Sequence, residues 1–354
     1  MDDCNTKERV FYIDVLRVLA MIAVILNHSF GYFSCDNWTR YFNTKIYFVD
    51  IILNSITRFN VPIFIMISGA LLLQSPQSTD IKHIWKERIR NVIIPFIVWT
   101  IIYIIVNCYR GGVNVLTKEC IKALMRPRAY SYHLWYMYML ILLYAVTPLL
   151  YVIVNAGEKY LNYCLVFWIV FSIGYPLINH LCPQIEMKSF QNYNVAGGYI
   201  GYYLLGYRLS KCKTVSRKWC LIIFICSWIV TILASIGYQN HIRGYDGCFL
   251  AFLSPNIVFM SASLFLAIKN SVTGRRLNKY FKIVILQLSR LSFGIYLVHY
   301  MIRDLVKILI TEGYVTEYIY IILSPILVFS VSVTVIYIVS RCKLLRFPIA
   351  GLTR

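Results

Sequence analysis

Long apolar runs separated by short polar segments organise this chain of 354 residues. The runs fall at about 11–33, 46–73, 91–108, 133–154, 160–180, 194–210, 219–237, 249–268, 286–310 and 318–340. Each is near the 17 to 25 residues a helix needs to cross the hydrocarbon core of a bilayer. The pattern predicts an all-α integral membrane protein, a bundle of about ten transmembrane helices in one domain over 1–354. The second run contains Arg58 and Pro62 and is expected to kink or tilt. The stretch TDIKHIWKERIR after it reads as a charged loop. The longest polar stretch, 109–131, holds a Gly-Gly pair, a short amphipathic helix (VLTKECIKALM) and RPRAYS. Neither an internal duplication nor a matched pair of broken helices is visible, which weighs modestly against an inverted-repeat transporter.

Polar residues inside these runs carry the candidate chemistry. In the first run Asp14, Arg17 and His28 recur at helical spacing with positions 21 and 24, so they share one face of a single helix. At 1.5 Å per residue, Arg17 and His28 lie roughly 16 Å apart along the axis. Ionisable groups at such depth are costly unless they face a protein interior or a wet cavity, so the stripe is read first as a functional site. The plainer alternative is an i,i+3 ion pair near the membrane surface with a packing histidine. Arg58 is a second cation in an apolar setting. His133, Trp135 and Tyr136 open the fourth run, where interfacial aromatics are common for lipid reasons alone, and stacking of Trp135 on a sugar is the functional alternative. Ser292, Tyr296 and His299 share one face of the ninth run, either lining a cavity or making interhelical contacts.

Composition supports the membrane setting. Hydrophobic residues make up 59%, charged residues 14%, and mean hydropathy is +0.64; soluble domains carry charged residues at about 25%. The 35 Lys and Arg against 15 Asp and Glu give a net charge of +20, but they cluster between apolar runs, as in loops facing anionic lipid, and leave no basic face for nucleic acid. With a cytoplasmic N-terminus the inside segments hold Lys7 and Arg9; Lys82, Lys86, Arg88 and Arg90; Arg208, Lys211, Lys213, Arg217 and Lys218; the 269–290 linker; and Arg341, Lys343 and Arg346. This orientation puts both termini in the cytoplasm. The 109–131 segment dissents, with Arg110, Lys118, Lys122, Arg126 and Arg128 against Glu119. It is read either as a lid meeting an anionic glycan or lipid phosphate, or as a solvated surface helix. Eleven Cys without CxxC spacing suggest neither a zinc site nor a disulfide framework, and no metal is expected. The polar N-terminus and the length of the first run indicate a retained anchor rather than a cleaved signal. HExxH, P-loop and GxSxG patterns are all missing.

The strings FYIDVLRVLAMIAVILNH, RFNVPIFIMISGALLL, IIPFIVW, HLWYMYMLILLYAVTPLL, GYYLLGYRLS and LSFGIYLVHYMI, in that order, resemble the bacterial membrane acyltransferase-3 family. The resemblance implies a ten-helix core in the bacterial inner membrane. It also implies transfer of an acyl group, usually acetyl from cytoplasmic acetyl-CoA, to a hydroxyl of a cell-surface or lipid-linked glycan, with no permanently bound cofactor. The family's first-helix histidine maps on His28 and its arginine on Arg17. The family's Arg-x-x-Arg before a proline corresponds to KERIRNVIIP, giving Lys86, Arg88 and Arg90, with Asn91 where strict spacing wants the second Arg. Many relatives carry an extracytoplasmic esterase-like domain, and this chain is expected to be a standalone form.

Chemically, a sugar hydroxyl attacking a thioester needs a base, and a desolvated imidazole favours the neutral, proton-accepting form, so His28 is the candidate base. Arg17 or Arg58 can stabilise the oxyanion or hold donor phosphates, and Asp14 most simply holds Arg17. Lys86, Arg88 and Arg90 suit the phosphates of acetyl-CoA. The scheme requires His28 to face the bundle interior, with a passage linking it to Arg17 and the basic rim. Two other functions compete: a polytopic exporter or flippase of a lipid-linked glycan, and a non-catalytic membrane partner of a separate enzyme.

Overall fold

The computed structural model describes residues 10–111, 131–182, 184, 198–212, 215–273 and 277–352. Among these the ordered structure is helical throughout, and nine segments, from Phe11–Asp36 to Glu317–Arg341, are long and apolar enough to cross a membrane. The protein is therefore an all-α, multi-pass membrane protein. Most of the basic 109–131 segment, with its expected amphipathic helix, lies outside the described residues.

Helix α1 (Phe11–Gly31) forms the centre and continues through a π-helical turn, Tyr32–Asp36. The second run is two helices, α2 (Lys45–Ser55) and α3 (Asn60–Leu72), and the expected kink is a full break. Thr57 makes the break: its hydroxyl donates to the Asn54 carbonyl at 2.7 Å, and its amide returns to the same oxygen at 3.1 Å. A β-branched residue bonding its own upstream carbonyl ends one ladder before the next begins. Pro62 falls in the first turn of α3, where the missing N–H costs nothing. Arg58 thus sits in a turn between two helices.

The charged stretch expected to be a loop is helical. The Asp80 carboxylate accepts the backbone N–H of Lys82 at 2.8 Å and of His83 at 3.2 Å, capping a helical turn that runs through a π-helical segment, Ile84–Ile89, into α4 (Arg90–Gly111). Ile84 and Ile89 are buried while Lys86, Arg88 and Arg90 are exposed, so the segment is amphipathic. Then follow α5 (Trp135–Asn155), α6 (Glu158–Trp168) and α7 (Tyr175–Leu181), the last two joined by a π-helical turn.

In the sixth run the described helix is short, and residues 194–197 lie outside the described residues. Helix α8 (Ile200–Lys211) has 12 residues, about 18 Å of rise against the roughly 30 Å of hydrocarbon it would have to span. Half of its residues are buried, and its backbone is pressed on α3. A Cβ on Gly206 would lie 2.1 Å from the Met66 carbonyl oxygen, and one on Gly69 would lie 1.8 Å from that of Tyr203. Small residues at a helix crossing allow this approach. The bundle is completed by α9 (Arg217–Ile242), α10 (Pro255–Val272), α11 (Lys279–Val306) and α12 (Glu317–Arg341).

Helices α1 and α11 run in the same direction side by side, Arg17 meeting Ser289 and His28 meeting Arg303. The segment after α12 folds back onto the bundle: the Ile349 carbonyl accepts the Trp99 indole N–H at 2.8 Å, and Ala350 is fully buried against Gly294. Gly351, at φ +67°, lets the chain turn against Phe293.

The α3–α8 contact gives a direct test. Gly206→Ala must force two backbones apart and should cost about 1–3 kcal/mol in detergent-solubilised protein. Gly237→Ala, where nothing lies within 4 Å, should be neutral or stabilising by up to about 1 kcal/mol through helix propensity. Equal thermal midpoints for the two variants would contradict the packing described.

Candidate functional site

Two cavities enter the bundle from opposite ends and stop at a shared layer of rings. The first, roughly 410 Å³, opens at the C-terminal end of α1 and is lined by His28, Asn54, Arg58, Tyr245, Tyr300 and Arg303, among others. The second, roughly 360 Å³, lies toward the N-terminal end of α1 and is lined by Arg17, Ser68, Arg88, Tyr136, Tyr144, Ser292 and Tyr296 over an apolar floor that includes Phe64, Ile67, Leu140 and Phe293. Both are in the size range of small-molecule sites.

His28 faces the bundle interior rather than lipid. Its ring centroid is 5.2 Å from that of His299, which is 5.6 Å from Tyr296, a wall of the second cavity. His133 fills the rest of the layer, 5.1 Å from His299 and stacked on Tyr300 at 4.9 Å. The expected continuous passage is therefore two cavities with a partition about two rings thick. Side chains too bulky to leave a channel occupy the middle.

The partition is built from polar groups turned inward. Nδ1 of His133 lies 2.8 Å from the Ser131 hydroxyl, and the backbone carbonyl of His133 accepts the Tyr296 phenol. Nδ1 of His299 lies 2.5 Å from the Tyr296 carbonyl oxygen. The Nε2 atoms of His133 and His299 are buried without a hydrogen bond among the described residues.

Around the first cavity, Arg58 donates from Nε to the Asn54 side-chain oxygen at 2.7 Å, and Asn54 donates to the Asn27 carbonyl at 3.2 Å. This ties the α2–α3 break to α1 beside His28. Around the second cavity, Arg17 donates to the Ser289 hydroxyl at 3.1 Å, which donates to buried Asp14 at 2.6 Å; Arg17 and Asp14 are themselves 3.5 Å apart. Asp14 thus holds Arg17 and lines neither cavity.

The structure separates the expected site residues into groups. His28 and Arg58 share one cavity, while Arg17, Arg88, Tyr136, Ser292 and Tyr296 share the other. His133 and His299 lie between them. Lys86 and Arg90 flank Arg88 on the exposed face of the same helical segment. Trp135 lines neither cavity: its ring stacks on Phe252 at 6.1 Å and lies 5.5 Å from Tyr199.

Sequence reasoning missed Arg303. Its Nε donates to the His28 carbonyl at 3.2 Å, its terminal nitrogens pair with Asp36 and, at 3.1 Å, with Asp304, and its guanidinium lies 5.0 Å over the Tyr300 ring. The signal was present, since Arg303 continues the stripe of Ser292, Tyr296 and His299 at i+4.

Residues 10–341, nearly the whole chain, match the family model described as Acyltransferase domain. No curated protein and no solved structure matches the chain.

Arg303→Gln removes the cation and leaves Asp36 and Asp304 facing one another. Because Asp36 is 42% exposed and water screens it, the loss should be about 2 kcal/mol of thermal stability in detergent rather than the larger penalty of a fully buried pair. Adding Asp36→Asn should recover part of it. A double variant as unstable as the sum of the two single variants would contradict the pairing.

Proposed function

The chain belongs to the Acyltransferase domain family, and from that membership we propose that it is an integral-membrane O-acyltransferase whose donor and acceptor reach one histidine from opposite faces of the membrane. The donor is acetyl-CoA and the acceptor a hydroxyl of a cell-surface or lipid-linked polysaccharide. The observation that carries the reading is the placement of His28 and His299 between a cavity edged by Arg17 and Arg88 and one edged by Arg58 and Arg303.

In this reading the Arg88 cavity receives the donor. A thioester on a narrow pantetheine arm suits an apolar floor, and the phosphates at its far end suit Arg88 with Lys86 and Arg90 beside it. Arg17, held by Asp14 and Ser289, is a fixed cation on the way in. The acceptor enters the His28 cavity. Its hydroxyl gives a proton to the imidazole as its oxygen bonds to the acyl carbon. Arg58 is the nearer candidate for stabilising the tetrahedral oxyanion, because it lines the His28 cavity and Arg17 does not. Collapse breaks the carbon–sulfur bond, and the proton on the imidazole passes to the departing thiolate, giving free CoA and the O-acyl ester.

The partition at Tyr296 and His299 has to admit the donor arm for this to happen. These rings stand between the two cavities, so they are the part of the path that must move. The basic residues at the Arg88 end favour the cytoplasmic face of a bacterial inner membrane, with both termini on that side.

Purified protein given labelled acetyl-CoA and the polysaccharide of its own cell should transfer label, and His28→Ala should lower the rate by about 10²-fold or more. Surface delivery of the glycan in cells carrying the variant should persist. Loss of glycan delivery with no acetyl transfer by the wild type would instead favour an exporter.

A further inference from the structure

Away from the two cavities, the turn between α9 and α10 brings together three side chains that transition metals favour. His180 at the end of α7, Asp246 and Cys248 place one ligand atom each within 4.8 Å of one another. His180 Nε2, itself shielded from solvent, lies 3.1 Å from Asp246 Oδ2. Linear spacing hides the trio, since His180 and Asp246 are far apart in sequence and no CxxC is involved.

We propose that His180, Asp246 and Cys248 bind a divalent transition metal of the zinc class. Imidazole nitrogen, carboxylate oxygen and thiolate sulfur are the zinc donors, with bonds of about 2.0–2.3 Å that set tetrahedral ligand atoms about 3.4–3.6 Å apart. The His180–Asp246 separation of 3.1 Å is close to that, and no pair in the trio exceeds 4.8 Å. The turn is already shaped for the task. Asp246 Oδ1 accepts the Cys248 amide at 2.7 Å, leaving Oδ2 toward His180, and the Asp246 carbonyl accepts the Gln239 side chain at 2.7 Å. His180 and Cys248 also line a separate cavity of roughly 250 Å³, which supplies access and room for a fourth ligand, water or an exogenous donor.

The metal would do structural work with a functional consequence. It would staple the end of α7 to the turn that carries Tyr245, a wall of the His28 cavity whose phenol reaches Cys35 Sγ at 3.4 Å. Binding energy spent on that turn would fix one side of the acceptor cavity.

The test uses full-length protein in detergent, equilibrated with zinc, passed through a desalting column and analysed for metal content. Wild type and Cys342→Ser should each retain one zinc per chain, whereas His180→Ala and Cys248→Ser should retain none. Cobalt in place of zinc should give a thiolate charge-transfer band in wild type that Cys248→Ser abolishes, which reads the site even where a variant is poorly stable. No retained zinc in wild type, or equal retention in the His180→Ala and Cys248→Ser variants, would overturn the assignment. So would a cobalt band unaffected by Cys248→Ser.

Discussion

An ionisable side chain in an apolar bundle must be held by another polar group, and the parallel pair α1 and α11 is fastened by two such obligations. Near one end Asp14, Ser289 and Arg17 join the helices; near the other Arg303 joins the His28 carbonyl to Asp36. Each set pins the register of one helix against the other. That register arranges the space between the two cavities. It sets His299 against His28 and brings Tyr296 to the wall of the opposite cavity.

The consequence is a molecule organised about a thin central layer. One side presents guanidinium groups beside an apolar pocket; the other presents guanidinium, phenol and amide groups beside an imidazole. The two cavities come nearest where the layer is made of histidine and tyrosine rings. Arg17 and Arg58, both cations in apolar runs, lie on opposite sides of this layer.

Much of this was legible in the sequence. The helical spacing of Asp14, Arg17 and His28 put them on one face because α1 is regular, and period 3.6 holds in regular helices. Ser292, Tyr296 and His299 were readable for the same reason, and Arg303 escaped only because the stripe was not followed one turn further. The failures have local causes. The Asp80 cap turned a charged stretch into helix, and the Thr57 bonds divided a run that composition joined. The close packing of α8 on α3 was invisible because hydropathy does not report that two glycines let the helix backbones meet. Tyr136 and Trp135, adjacent in sequence, went to different environments, since neighbouring residues on a helix point about 100° apart. Which cavity a residue lines depends on tertiary packing that no single run encodes.

The central claim is that acyl groups cross this layer. Proteoliposomes holding the purified protein in one orientation, with acceptor polysaccharide sealed on the His28 side and labelled acetyl-CoA supplied only on the Arg88 side, test it most directly. The account predicts label on the enclosed polysaccharide, with free CoA released on the Arg88 side. Label appearing only when donor and acceptor share one side would contradict it.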